Sequence, residues 1–166
     1  MKDVIIVSGG NIQRDFALDF LKRNKTEEVC LIAADRGVEF FKGTDWVPEV
    51  AVGDFDSLST EGAAYLETLR ETEVIRLKPE KDDSDTQSAA NYAIDHGAER
   101  ITILGATGKR IDHLMANFGL LVHGRECGAE IILIDQWNYM KLIESHTVLK
   151  KDEQFGKYVS FFSLEG

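Results

Sequence analysis

The chain has 166 residues, enough for one α/β core with a small appendage. Hydrophobic residues make up 43% and charged residues 29%, an ordinary soluble balance, and no apolar run approaches the roughly 20 residues that span a bilayer. The net charge of −10 argues against a nucleic-acid backbone as partner, because that surface demands clustered Lys and Arg.

Residues 4–7 form a short apolar run stopped by Ser8-Gly9-Gly10, a first strand rather than the longer apolar region of a signal peptide. Further strands are predicted over 29–33, 50–52, 74–77, 101–104 and 131–134. Helical patterns fall between them, over 12–23, 37–43, 60–70, 85–96 and 113–126. Strands that are apolar throughout, alternating with helices, indicate a parallel sheet covered by helices on both faces, a Rossmann-like α/β fold. Ser84 with Gln87 makes a capping box, Ala89, Ala90, Ala93 and Ile94 supply a core-facing stripe, and Gly97 suits the stop. Ser59 is the expected cap of the helix over 60–70.

Beyond Asp135 the helical period disappears. Residues 137–143, 146–150 and 158–163 read as consecutive strands with polar turns. The expected organisation is an α/β nucleotide-binding domain over 1–135 and, over 136–166, the first strands of a small antiparallel β-sandwich. Cys30 and Cys127 match no metal or redox spacing and read as reduced thiols of a cytoplasmic protein.

Open parallel sheets bind ligands at the carboxyl ends of their strands. On that edge lie Ser8-Gly9-Gly10, Asp35-Arg36-Gly37, Gly53-Asp54-Phe55-Asp56-Ser57, Lys81-Asp82-Asp83-Ser84-Asp85 and Gly105-Ala106-Thr107-Gly108-Lys109-Arg110-Ile111-Asp112-His113. One aspartate is most simply a turn former or a cap. Several acidic loops on one edge repel one another unless a cation sits among them. If Asp54-Phe55-Asp56 is extended, both carboxylates share a face and Phe55 turns to the core. That pair, completed by Asp85, suits Mg²⁺, which takes one or two protein carboxylates and fills its remaining positions with water and phosphate oxygens. The glycine-containing loop 105–108 admits a phosphate to backbone N–H groups, and Lys81, Lys109, Arg110 and Arg36 supply local positive charge. Asp112 is placed either to cap a helix starting at His113 or to serve the site.

Together these motifs resemble the thiamin pyrophosphokinase family. The resemblance rests on Ala34-Asp35-Arg36-Gly37, Gly53-Asp54-Phe55-Asp56-Ser57, Lys81-Asp82-Asp83-Ser84-Asp85, Gly108-Lys109-Arg110-Ile111-Asp112-His113 and Ala116-Asn117, in order across residues 1–135. Gly156-Lys157-Tyr158-Val159-Ser160 is similar to the start of the family's C-terminal β-sandwich. It implies diphosphate transfer from ATP to the hydroxyl of thiamin, giving thiamin diphosphate and AMP, with Mg²⁺ and a homodimer. It also implies Asp54, Asp56 and Asp85 as metal ligands and, with Asp112, as catalytic residues. Nucleotide is expected on Gly9, Gly10, Asp35, Arg36, Gly37, Lys81, Ser84, Thr107, Gly108, Lys109 and Arg110, and thiamin on Asp112, His113 and Asn117. The proton acceptor is either Asp112 or a metal-bound carboxylate.

Arg36 and Lys109 stand where many members carry glycine, a strained substitution if either position needs positive φ. The family's last strands, with an aromatic residue and a Ser-Asn segment near the thiamin pocket, are expected beyond Gly166. A diphosphokinase of another alcohol such as a pterin, or a non-catalytic nucleotide-binding module, would share the nucleotide loops and differ in thiamin-dependent AMP release.

Overall fold

A computed structural model describes residues 1–78, 84–143 and 146–164. Its centre is a seven-stranded sheet: β1 (Asp3–Val7), β2 (Val29–Ala34), β3 (Val50–Gly53), β4 (Glu73–Arg76), β5 (Arg100–Leu104), β6 (Glu130–Ile134) and β7 (Tyr139–Lys141). The order is β4-β3-β2-β1-β5-β6-β7; β1 to β6 run parallel and β7 pairs antiparallel with β6. The strand order reverses between β1 and β5, which opens a crevice at their carboxyl ends.

Alternate residues of the strands feed two cores. Val4, Ile6, Ile32, Val52, Ile101, Ile103 and Leu133 pack with Ala89, Ala90 and Ala93 of α4 (Asp85–Asp95) and Leu120 and Leu121 of α5 (Ile111–Glu126). Ile5, Val7, Leu31, Ala33 and Ala51 pack on the other face with Ala17 and Leu21 of α1 (Arg14–Asn24), Val38 and Phe41 of α2 (Val38–Phe41) and Leu66 of α3 (Thr60–Leu66). Helices therefore cover both faces of a mixed sheet. Among the described residues no helix is long and apolar enough to cross a membrane.

Local signals set the helix ends. The Ser59 and Ser84 hydroxyls accept from the N–H groups of Gly62 and Gln87 at 3.0 and 3.2 Å, each a cap worth about 1 kcal/mol. Gly97 takes φ +81 after α4. α5 starts at Ile111, two residues earlier than expected, so Asp112 lies inside its first turn and does not cap it.

The C-terminal region departs most from expectation. Residues 139–141 add a strand to the existing sheet rather than opening a second one, and the described residues of 146–150 and 158–163 form no strand. An extended segment becomes a strand only when a neighbour takes its N–H and C=O groups. Phe161 and Phe162 are 72% and 86% exposed, so this segment has neither ladder nor cover. Phe155 does dock, edge-on to Phe16 of α1 and beside Tyr139.

Candidate active site

At the switch point two loops meet backbone to backbone. A Cβ on Gly10 would lie 2.1 Å from the Gly105 carbonyl oxygen, so only glycine permits the approach. The buried Ser8 hydroxyl lies 2.6 Å from that of Thr86, tying the end of β1 to the first turn of α4. Asp85 begins that turn and so faces the same crevice edge as the loop after β1.

Three carboxylates converge here. One oxygen each from Asp35, Asp54 and Asp85 lie within 4.8 Å of one another. Asp35 is held in the left-handed region (φ +46) at the start of a 3₁₀ turn, Asp35–Gly37. Gly53 makes room for it, since a Cβ there would lie 2.9 Å from the Asp35 Cα. The Ser57 hydroxyl donates to Asp35 Oδ2 at 2.6 Å, while Asp35 Oδ1 is buried with no hydrogen-bond partner among the described residues. Three hard oxygen donors, one with a buried atom unsatisfied, fit a divalent cation such as Mg²⁺.

The Asp54-Phe55-Asp56 segment is not extended. Phe55 has φ +60, and the Asp56 N–H donates to Asp54 Oδ1 at 3.1 Å, a turn in which the side chain imitates a backbone acceptor. Phe55 is buried as expected, but Asp56 is carried to the exposed rim, outside the group of three. The Asp54 charge, a hydrogen bond to Asp54, slight desolvation, and the charges of Asp35 and Asp85 all push the Asp56 carboxyl above its usual range. Asp35, expected on the nucleotide, stands in that group of three. Arg36 and Lys109 both avoid positive φ, so neither substitution strains its loop. Arg36 lies 3.7 Å from Glu39, whose carboxyl is held low chiefly by the Ser59 N–H it accepts.

Past β5, the exposed Gly108, Lys109 and Arg110 border the crevice, and Arg110 reaches Asp112 with two bonds of 3.2 and 2.5 Å. That hydrogen bonding holds Asp112 below its ordinary carboxylate range. His113 is exposed beside them. Asn117 is buried, and its amide donates to the Ala106 carbonyl at 2.7 Å, so it braces the loop from beneath. Lys81, Asp82 and Asp83 lie outside the described residues.

Asp135, at the end of β6, was not among the expected site residues. It accepts from the N–H groups of Trp137 and Asn138 at 2.7 and 2.8 Å. Burial works to raise its pKa, but hydrogen bonds from Thr107, Asn138 and the Trp137 N–H outweigh it and hold the carboxyl low. The Asp-x-x-Asn spacing just after an apolar strand was the available signal.

Residues 21–133, more than half of the chain, match the family model for the thiamin pyrophosphokinase catalytic domain. A thiamine pyrophosphokinase of Bacillus subtilis is 30% identical over 164 residues, 97% of this chain and 73% of the relative. The crystal structure of a Bacillus subtilis thiamine pyrophosphokinase superposes with a TM-score of 0.73 at 29% identity, over 84% of this chain and 64% of that one. For an Enterococcus faecalis thiamin pyrophosphokinase family protein the values are 0.65 and 37%, over 83% and 63%. The Candida albicans thiamin pyrophosphokinase, 17% identical with a TM-score of 0.65 over 83% of this chain and 59% of that one, shares the fold. The matches span less than two thirds of these solved chains. By the extent of the family model and the identity to its curated relative, this chain belongs to the thiamin pyrophosphokinase family.

Proposed function

We propose that this chain transfers diphosphate from ATP to the hydroxyl of thiamin, releasing thiamin diphosphate and AMP. The observation that carries the reading is the convergence of Asp35, Asp54 and Asp85 at the switch-point crevice of a chain in this family. In this reading Asp54 and Asp85, with Asp35 beside them and Asp56 at the rim, would hold Mg²⁺. The cation, when bound, neutralises charge on the triphosphate.

The chain's own groups do the rest. Gly9 and Gly10 let the exposed loop after β1 pack against Arg36 and Gly105, and Gly108 offers space where a Cβ would meet nothing nearer than 4.0 Å. Lys109 and Arg110 supply the positive charge that an acidic protein needs locally, with Lys81 assigned beside them on the family motif. Asp35, Arg36, Gly37, Ser84 and Thr107 complete the nucleotide loops. The alcohol oxygen bonds to the β-phosphorus as the bond from that phosphorus to the α,β-bridging oxygen breaks, and AMP leaves with that oxygen. Positioning two reactants in line supplies most of the acceleration such a site needs. Asp112, ionised at neutral pH, receives or orients the hydroxyl proton, and His113 lines the acceptor side. Asn117, assigned to the acceptor side on the family motif, also braces the loop through the Ala106 carbonyl.

The family resemblance also supports a cytoplasmic homodimer in which residues beyond β7, within the expected second domain over 136–166, help build the acceptor pocket. The decisive experiment is a product assay with Mg²⁺-ATP and thiamin. AMP and thiamin diphosphate in equal amounts are expected; AMP formed with a pterin alcohol instead, or no AMP with either, overturns the reading.

A further inference from the structure

Ser8 stands between two of the elements that carry the converging carboxylates. Its backbone is held by three neighbours. The Ser8 N–H donates to the Leu104 carbonyl at 2.8 Å, extending the ladder of β1 on β5 by one residue. A Cβ on Gly37 would lie 3.2 Å from the Ser8 carbonyl carbon, so the 3₁₀ turn that begins at Asp35 packs directly on Ser8. A Cβ on Gly105 would lie 2.5 Å from the Ser8 carbonyl oxygen, so the loop after β5 packs there too. The side chain reaches α4. Its hydroxyl lies 2.6 Å from that of Thr86, and the two residues are only 6% and 8% exposed. Ser8 thus touches the turn of Asp35 with its backbone and the helix of Asp85 with its side chain.

We propose that Ser8 is a positioning residue of the cation site: through the Thr86 hydroxyl it fixes the first turn of α4 so that Asp85 meets Asp35 and Asp54. The inference rests on the functional reading above, in which this group of carboxylates holds Mg²⁺. The face that α4 lays on the core is made of Ala89, Ala90 and Ala93, short side chains that interlock little. Hydrophobic burial has no direction, so such a face leaves the register of the helix loosely set. Directional bonds supply what is missing. The Tyr92 hydroxyl donates to Glu73 at 3.0 Å and Asn91 Oδ1 lies 2.6 Å from His123 Nε2, which hold the later turns. The bond from Ser8 acts at the first turn, one residue from Asp85. Mg²⁺ demands near-ideal geometry, so carboxylates on three separate elements must be in place before it arrives.

Ser8→Ala, Thr86→Val and the two combined, each in the intact chain, test this. Either single change leaves a buried hydroxyl without its partner and is expected to lower Tm by about 3–6 °C. The double change removes both polar groups and should melt close to the wild type, since apolar groups of similar shape replace a buried pair at little cost. Cation affinity should not recover with stability. Titration with Mn²⁺, followed by loss of the free ion's paramagnetic resonance signal, should show binding about tenfold weaker in all three variants, the double included. Thr86→Ser keeps the hydroxyl and should bind Mn²⁺ as the wild type does. If the double variant binds as tightly as the wild type, or Thr86→Ser as weakly as Thr86→Val, the bond serves packing alone and the proposal fails. A wild-type chain that binds no Mn²⁺ overturns the functional reading itself, and the proposal with it.

Discussion

Ser57 donates its hydroxyl to one oxygen of Asp35 at 2.6 Å, and the other oxygen of that carboxylate is buried with no partner among the described residues. An unsatisfied buried polar atom costs about 1–3 kcal/mol, more when it carries charge. Its persistence beside Asp54 and Asp85 makes sense if a cation supplies the missing interaction. Asp35→Asn, Asp54→Asn and Asp85→Asn are each expected to keep the fold and lower Mg²⁺-dependent AMP formation by roughly a hundredfold or more, as removal of a metal ligand does. Asp56→Asn, one residue outside the group, should cost less than any of them. Circular dichroism and AMP release at limiting Mg²⁺ check the ranking; Asp56→Asn as the most damaging of the four would restore the extended Asp-x-Asp geometry.

Crowded carboxylates also predict how stability responds to ligand. The raised pKa of Asp56 means that the folded state holds its proton more tightly than the unfolded chain does. That contribution is favourable at low pH and is lost as pH rises through the unfolded and then the folded pKa, leaving net repulsion at neutrality. Mg²⁺ with ATP should reverse it. At about 100 times its dissociation constant a ligand adds about 2.7 kcal/mol, on the order of 5–10 °C in Tm for a domain this size. Melts with Mg²⁺-ATP, with ATP plus chelator and with Mg²⁺ alone separate the contributions. An equal rise with and without chelator would remove the cation from the site.

Arg110 and Asp112 give a pH prediction of opposite sign. The fork between them is the first cause holding Asp112 low, so the pair favours folding above the ordinary carboxylate pKa and loses that contribution as pH falls through the depressed value. Arg110→Gln should let the Asp112 carboxyl titrate at higher pH, and should weaken Mg²⁺-ATP in the same variant because the loop loses a cation. Carbon-detected titration of the Asp112 side chain, compared between the two proteins, reads the first effect directly. An Asp112 titration that does not move would assign its depression to the helix terminus instead.

Patterns with short range were legible in the sequence. The caps at Ser59 and Ser84, the Gly97 stop, the six parallel strands and, among the described residues, the placing of glycines and aspartates on one edge all follow from local spacing, and the structure has each of them. What sequence could not supply was direction within a loop. Asp-x-Asp reads as one face only if the middle residue is extended, and Phe55 at φ +60 breaks that condition. Asp35 joins the carboxylates because the 3₁₀ turn over Asp35–Gly37 folds it across Gly53, a contact between strands that no local window contains. The same limit applies to Asp112, whose two readings were a helix cap or a site residue: it lies inside the first turn of α5 and pairs with Arg110 rather than capping. At the C-terminus, residues 137–143, 146–150 and 158–163 were read as strands, but strands exist only with partners, and among the described residues there only 139–141 find one.

Three glycines separate the needs of folding from those of binding. Gly10 abuts the Gly105 carbonyl, so Gly10→Ala places a Cβ 2.1 Å from backbone that cannot swing away. It should destabilise by about 1–3 kcal/mol or more through overpacking. Gly119 lies exposed within α5 with nothing within 4 Å and no positive φ, so Gly119→Ala should stabilise by about 0.5–1 kcal/mol. Gly108 resembles Gly119 rather than Gly10. It has neither positive φ nor a neighbour nearer than the Asn11 nitrogen at 4.0 Å, so folding alone does not require glycine there. On the proposed reading, Gly108 leaves room for the close approach of the nucleotide. Gly108→Ala is therefore expected to melt within about a degree of the wild-type chain while raising the KM for ATP by about tenfold, as one lost or lengthened phosphate contact does. Urea melts and ATP saturation curves for the three variants give both numbers. If Gly108→Ala saturates at the wild-type ATP concentration, phosphate does not touch this loop, and the nucleotide must lie closer to Gly9 and Arg36.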